Sequence, residues 1–169
     1  MIPDSYPQGV PEPEYIRAIG NIAWSSDDTK LVFVGSNDFQ ADIYTIDIDG
    51  KNLKRLTNDK LNEFFLAWSP ENKKIAFQTT EGFGTGAGFS SSIAVIDSNG
   101  NNYSQIAING KLPGNHRFGP AENLRWINSN EVIFSSWAPG GPDGIWKADV
   151  NYTLNRQTGL VRPRMVRKK

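Results

Sequence analysis

Ile22-Ala23-Trp24-Ser25-Ser26-Asp27-Asp28-Thr29-Lys30-Leu31-Val32-Phe33 recurs as Leu66-Ala67-Trp68-Ser69-Pro70-Glu71-Asn72-Lys73-Lys74-Ile75-Ala76-Phe77. A looser third copy is Leu124-Arg125-Trp126-Ile127-Asn128-Ser129-Asn130-Glu131-Val132-Ile133-Phe134. From Trp to Phe the spacing is nine, nine and eight residues. Each copy is followed by a second matching piece: Asp42-Ile43-Tyr44-Thr45-Ile46-Asp47, then Ser92-Ile93-Ala94-Val95-Ile96-Asp97, then Gly144-Ile145-Trp146-Lys147-Ala148-Asp149. Two copies add the turns Asp49-Gly50 and Asn99-Gly100, and then a short run, Asn52 to Thr57 or Tyr103 to Ile108. Asp-Gly and Asn-Gly suit tight hairpins because both residues take positive φ at little steric cost.

Every piece is short, rich in β-branched and aromatic residues, alternating, and bounded by Ser, Asn, Asp, Gly or Pro, the pattern of half-buried antiparallel strands. No stretch sustains a helical period. Four strands per unit, A to D in chain order, make a propeller blade whose apolar faces are buried only against neighbouring blades. The expected fold is therefore all-β: a partial β-propeller of about three four-stranded antiparallel blades, near residues 16–59, 62–110 and 118–150. A Pro-rich arm over residues 1–15, with Pro3, Pro7, Pro11 and Pro13, precedes them, and a basic tail over 151–169 follows. Closed propellers have about 4 to 8 blades. Three blades stay open, or close to six by dimerisation or as part of a longer chain.

Trp68-Ser69-Pro70-Glu71-Asn72-Lys73-Lys74-Ile75-Ala76-Phe77 and Asp42-Ile43-Tyr44-Thr45-Ile46-Asp47-Ile48-Asp49-Gly50, with Leu56-Thr57 closing that unit, resemble the repeat of the TolB-like, WD-repeat-like β-propeller family. The resemblance covers about Ile16 to Val150. It departs from the family at Ser26, where Pro is usual, and in the third unit, which lacks the Ser-Pro-Asp-Gly turn and any recognisable D strand. The resemblance implies periplasmic interaction proteins, gating domains of prolyl-oligopeptidase-like peptidases, or parts of polysaccharide lyases, so fold alone does not decide function.

Lys plus Arg and Asp plus Glu each total 18, so the formal net charge is zero and no strong field draws the chain to nucleic acid or an anionic membrane. The cluster Arg162, Arg164, Arg167, Lys168 and Lys169 reads as a solvated end. The absence of cysteine removes disulfides, thiolate zinc sites and cysteine nucleophiles. No apolar run approaches the ~18 residues of a membrane span, and the first fifteen residues do not read as a signal peptide. An extracytoplasmic, periplasmic home is implied by the family resemblance alone.

The second unit carries six extra residues between its B and C strands, and the link from its D strand to the third A strand is eight residues longer than the first such link. In a propeller the B–C and D–A connections emerge at one end, and long loops on a rigid scaffold are where binding resides. That end holds Asn37, Asp38, Phe39 and Gln40 from the first unit, and Phe83 and Phe89 from the second. The third gives Trp137, Pro139 and Asp143, and the long link His116, Arg117 and Phe118. Aromatics beside Arg and Asp fit a protein-binding rim, so the expected partner-binding residues are Phe39, Phe83, Phe89, His116, Arg117, Phe118, Trp137 and Asp143.

Chemistry finds little support. Gly82-Phe83-Gly84-Thr85-Gly86-Ala87-Gly88 lies between strands with no helix to bind an anion. Asp47-Ile48-Asp49-Gly50-Lys51-Asn52 opens like a calcium loop but has Asn58 where the bidentate Glu belongs. Asp47, Asp97 and Asp149 recur as C-strand ends. His116 has no G-x-S-x-G serine to activate, Ser90-Ser91-Ser92 only leads into a strand, and one His makes no zinc site. Asn102-Tyr103-Ser104 and Asn151-Tyr152-Thr153 match the glycosylation sequon, which matters only in a secreted eukaryotic protein. The expectation is a non-catalytic scaffold without cofactor or metal that binds a protein or cell-envelope component. The alternatives are a propeller portion of an enzyme, or a structural subunit that docks into a homodimer or larger assembly by its open edges.

Overall fold

The computed structural model describes residues 16–37, 40–81, 91–108, 121–136, 144–150 and 164–165. Among these residues there are twelve strands and no helix. Blade 1 is β1 (Ala18–Trp24), β2 (Lys30–Ser36), β3 (Ala41–Asp47) and β4 (Lys54–Arg55). Blade 2 is β5 (Leu61–Trp68), β6 (Lys74–Glu81), β7 (Ser91–Asp97) and β8 (Ser104–Ile108), and blade 3 is β9 (Ala121–Asn128), β10 (Glu131–Ser136), β11 (Gly144–Asp149) and β12 (Arg164–Met165). Each sheet pairs its four strands antiparallel in chain order, so the three-blade expectation holds. The third blade does have a fourth strand: Met165 pairs with Trp146 and Arg164 with Lys147. It lies in the stretch read as a basic tail, and two residues are too few to show the alternation by which a strand is recognised.

The repeated residues do repeated work. Each A strand bulges three residues before its Trp, at Asn21, Phe65 and Asn123, with φ of 48°, 49° and 54°. The A–B turns place Asp28 and Asn72 at positive φ, and the C–D turns pass through Gly50 and Gly100 and then Asn52 and Asn102. Asn, Asp and Gly tolerate that backbone, which is why they mark these turns. Ser25 and Ser69 close the A–B turns by accepting from the amides of Lys30 and Lys74, at 2.9 and 3.0 Å. Asp47 and Asp97 each bind a lysine on the B strand, Lys30 and Lys74, and an asparagine beyond the turn, Asn52 and Asn102. These bonds hold both carboxyls below the usual carboxylate range. They tie strand ends together, the structural role their recurrence suggested.

Alternation then sorts each blade into a leading face, toward the preceding blade, and a trailing face, toward the next. The trailing face of blade 1 (Ala23, Val32, Val34, Ile43) packs on the leading face of blade 2 (Leu66, Trp68, Ile75, Phe77). The trailing face of blade 2 (Ala76, Ile93, Val95, Ile106) packs likewise on the leading face of blade 3 (Leu124, Val132, Phe134, Trp146). Trp126 adds a polar tie, its indole N–H donating to the Ala67 carbonyl at 3.0 Å. Phe77 has no exposed surface and touches both blades 1 and 2. Phe77→Ala is expected to cost ~3–5 kcal/mol of unfolding free energy, as large-to-small core changes do. Guanidinium titration checks this, and a loss within about 0.5 kcal/mol, the surface range, contradicts the seam as a core.

Candidate functional site

All eight residues expected to bind a partner, Phe39, Phe83, Phe89, His116, Arg117, Phe118, Trp137 and Asp143, lie outside the described residues. The strand ends that border them are described. Ser36 pairs with Ala41 and with Ala18. Thr80 pairs with Ser91 and Leu61 with Glu81, and Ser136 pairs with Gly144 and with Ala121. In every blade, then, the B–C and D–A connections leave from the same end, as the sequence implied. In blade 1 the connection is tight: the Asn37 amide donates to the Gln40 carbonyl and the Gln40 amide to the Asn37 side chain, each at 2.9 Å.

Beneath that end, at the seam of blades 1 and 2, lies a buried polar cluster. Its origin is the shortness of β4, which pairs only with Tyr44 and Thr45 and leaves the first half of β3, paired with β2 on one side, without a strand on the other. Buried backbone groups must be paired, and side chains do it. The Ile43 amide donates to the Thr57 hydroxyl at 2.9 Å and the Ala41 amide to the Asn62 side chain at 2.9 Å, while the Leu56 amide donates to the Ile43 carbonyl at 2.7 Å. Thr57 Oγ1 in turn lies 3.0 Å from Glu63 Oε2 and 3.4 Å from Asp42 Oδ1. Arg55 pairs with Asp42, and the Gln40 side-chain amide bridges Asp42 and the Asp59 carbonyl.

Glu63 is fully buried and, among the described residues, its Oε1 has no hydrogen-bond partner. Burial first, and then the nearby Asp59 charge, push its carboxyl up to about 9, so it is protonated at neutral pH. Asp42 is also raised, by burial, against the opposing pull of Arg55. Sequence reading passed over this cluster, although one signal was there: Leu61-Asn62-Glu63-Phe64-Phe65-Leu66 sets an amide and a carboxylate side by side in a strand that is otherwise apolar up to Trp68. With no surface open to solvent Glu63 cannot meet a substrate, so what the arrangement can do is fasten blade 1 to blade 2. Among the described residues no group of three or more His, Cys, Asp or Glu side chains is placed to hold a metal ion, and no helix is long and apolar enough to cross a membrane.

No family model matches the chain. TolB from Acinetobacter baumannii superposes with a TM-score of 0.59 at 21% identity, over 80% of this chain and 31% of that one. The chain folds as three blades of a TolB-like β-propeller. A puromycin-hydrolysing peptidase of Mycobacterium tuberculosis superposes at 0.58, with 12% identity over 89% of this chain and 23% of that one. Dipeptidyl-peptidase 5 of Porphyromonas gingivalis is 29% identical over 73 residues, 40% of this chain and 11% of that protein. The three blades thus span less than a third of each relative, and these likenesses establish the fold.

The state of Glu63 makes stability depend on pH. An unfolded carboxyl releases its proton near 4.5, whereas the folded one holds it until about 9. Between those values the folded state binds more protons, so rising pH favours unfolding. Stability of the unaltered protein should therefore fall as pH climbs from about 4.5 to about 9, and Glu63→Gln should flatten that fall. Denaturant titrations across this range check it; parallel profiles for the two proteins contradict a protonated, buried Glu63.

Proposed function

We propose that this chain is a non-catalytic propeller module that binds a protein or cell-envelope partner through the end bearing the B–C and D–A connections, without a cofactor. The observation that carries this reading is the common end of the strand pairs Ser36–Ala41, Thr80–Ser91 and Ser136–Gly144, from which the B–C connections of all three blades depart. A propeller presents such loops side by side on a rigid frame, an arrangement suited to recognition. The opposite end is spent on tight turns whose carboxylates, Asp27, Asp47 and Asp97, are taken up by hydrogen bonds within the fold. The likeness to TolB supports an extracytoplasmic, periplasmic setting for the same role.

A second reading has its own support. The stretch shared with Dipeptidyl-peptidase 5 favours blades that serve as the gating portion of a peptidase, with chemistry carried by another domain. Under this reading the chain itself still does no catalysis, and activity toward peptides appears only in the presence of a hydrolase domain.

Replacing Phe83, Phe89, His116 and Trp137 together by Ala is expected to abolish capture of specific proteins from an envelope extract while leaving the guanidinium midpoint unchanged. Quantitative mass spectrometry of the captured proteins makes the comparison. Equal capture by the altered and unaltered chains contradicts the loop end as the binding surface.

A further inference from the structure

The leading face of blade 1 has no described blade against it, yet part of it is hidden. Ile19 pairs with Gly35, Trp24 with Leu31 and Tyr44 with Phe33, so by register and alternation these residues share that face. On β1, Ile19, Ile22 and Trp24 are 59%, 60% and 53% exposed. Phe33 on β2 and Tyr44 on β3 are only 6% and 7% exposed. The described strands in substantial contact with β2 and β3 are β1 and β4, in the same sheet, and β5, on the trailing side. The two rings stack, with centroids 5.6 Å and planes 13° apart. Stacking hides one face of each ring and leaves the other for something else to cover.

Where the chain reaches the blade bears on what that cover is. A Cβ added to Gly35 would come within 2.8 Å of the Tyr44 ring and 3.2 Å of Ile16 Cδ1, so Ile16 sits beside Tyr44 on the hidden part. The Arg17 amide then donates to the Ser36 carbonyl at 2.8 Å and starts the pairing of β1 with β2. Ahead of Ile16 run Pro3, Pro7, Pro11 and Pro13, with Ile2, Tyr6, Val10 and Tyr15 among them. Proline favours the extended polyproline conformation and has no amide donor for burial to strand, and segments of this kind bind against aromatic rings. At ~3.1 Å per residue, about five such residues span ~15 Å. The distance across the sheet from β1 to β3 is only ~10 Å.

We propose that the Pro-rich stretch of this same chain, residues 6–15, docks across β2 and β3 on the leading face of blade 1, over Phe33 and Tyr44. It leaves Ile22 and Trp24, on β1, uncovered. The argument is the burial of two rings on a face without a described blade, together with the position of Ile16 beside them, and it stands independently of what the loop end binds.

Photochemical crosslinking identifies the occupant directly. p-Azidophenylalanine in place of Tyr44 keeps the ring and adds a reactive group, and the full chain is irradiated and read by tandem mass spectrometry. Crosslinks should join position 44 to residues 6–15 of the same molecule, at a yield independent of protein concentration. Crosslinks between two molecules, rising with concentration, put a second copy on the face; crosslinks confined to the blades mean that the sheet hides its own rings. Either result overturns the proposal. Hydroxyl-radical footprinting of the natural side chains decides the matter should the azide disturb the stack. In the full chain, Val10→Asp/Tyr15→Asp should raise labelling of Tyr44 about sixfold, from its 7% exposure toward the 41% of Tyr103, an aromatic ring with open access to solvent. Phe77, fully buried in the seam, should stay unlabelled and shows that the blades remain folded. Equal labelling of Tyr44 in the altered and unaltered chains overturns the proposal.

Discussion

A four-stranded blade that is apolar on both faces cannot hide either face by itself, and this constraint governs everything else in the molecule. Blade 2 meets it completely: Ile75 and Phe77 are buried against blade 1, and Ile93 and Val95 against blade 3. Blades 1 and 3 meet it on one side each. The sandwiched sheet is therefore the keystone, and the terminal sheets differ in how they face what lies beyond. Blade 3 turns out Arg125 and Lys147 together with Ile127 and Ile145, whereas blade 1 turns out Ile22 and Trp24.

The seam between blades 1 and 2 also carries a buried polar cluster. A two-residue β4 leaves buried amides on β3, Thr57 and Asn62 satisfy them, and Glu63 comes with them into a place closed to solvent. Charged, that carboxyl would be costly there; protonated, it is tolerable. At the corresponding positions stand Ile19 in blade 1 and Ala121 in blade 3, so the polar tie belongs to this seam and not to the repeat in general.

Much of the fold was legible because its signals are local. Trp24, Trp68 and Trp126 mark the A strands, and Asp49-Gly50 and Asn99-Gly100 mark turns that need positive φ, which the structure confirms at Gly50 and Gly100. Two features were not legible, for different reasons. Arg164–Met165 becomes a strand only because β11 offers an edge to it, a tertiary effect with no local pattern. Glu63 was passed over because its meaning depends on Thr57 and Asp42 across a seam, and periodicity tells where a side chain points, not what it meets. The loop residues expected to bind a partner lie outside the described residues and stand as sequence expectations.

If blade 2 is the keystone, its central strands should be the last to open. Amide hydrogen exchange measures this residue by residue. The account predicts the slowest exchange in β6 and β7, at Ile75 to Gln78 and Ile93 to Ile96, with β1 and β9 opening sooner. Protection of β1 equal to or greater than that of β6 and β7 would contradict it.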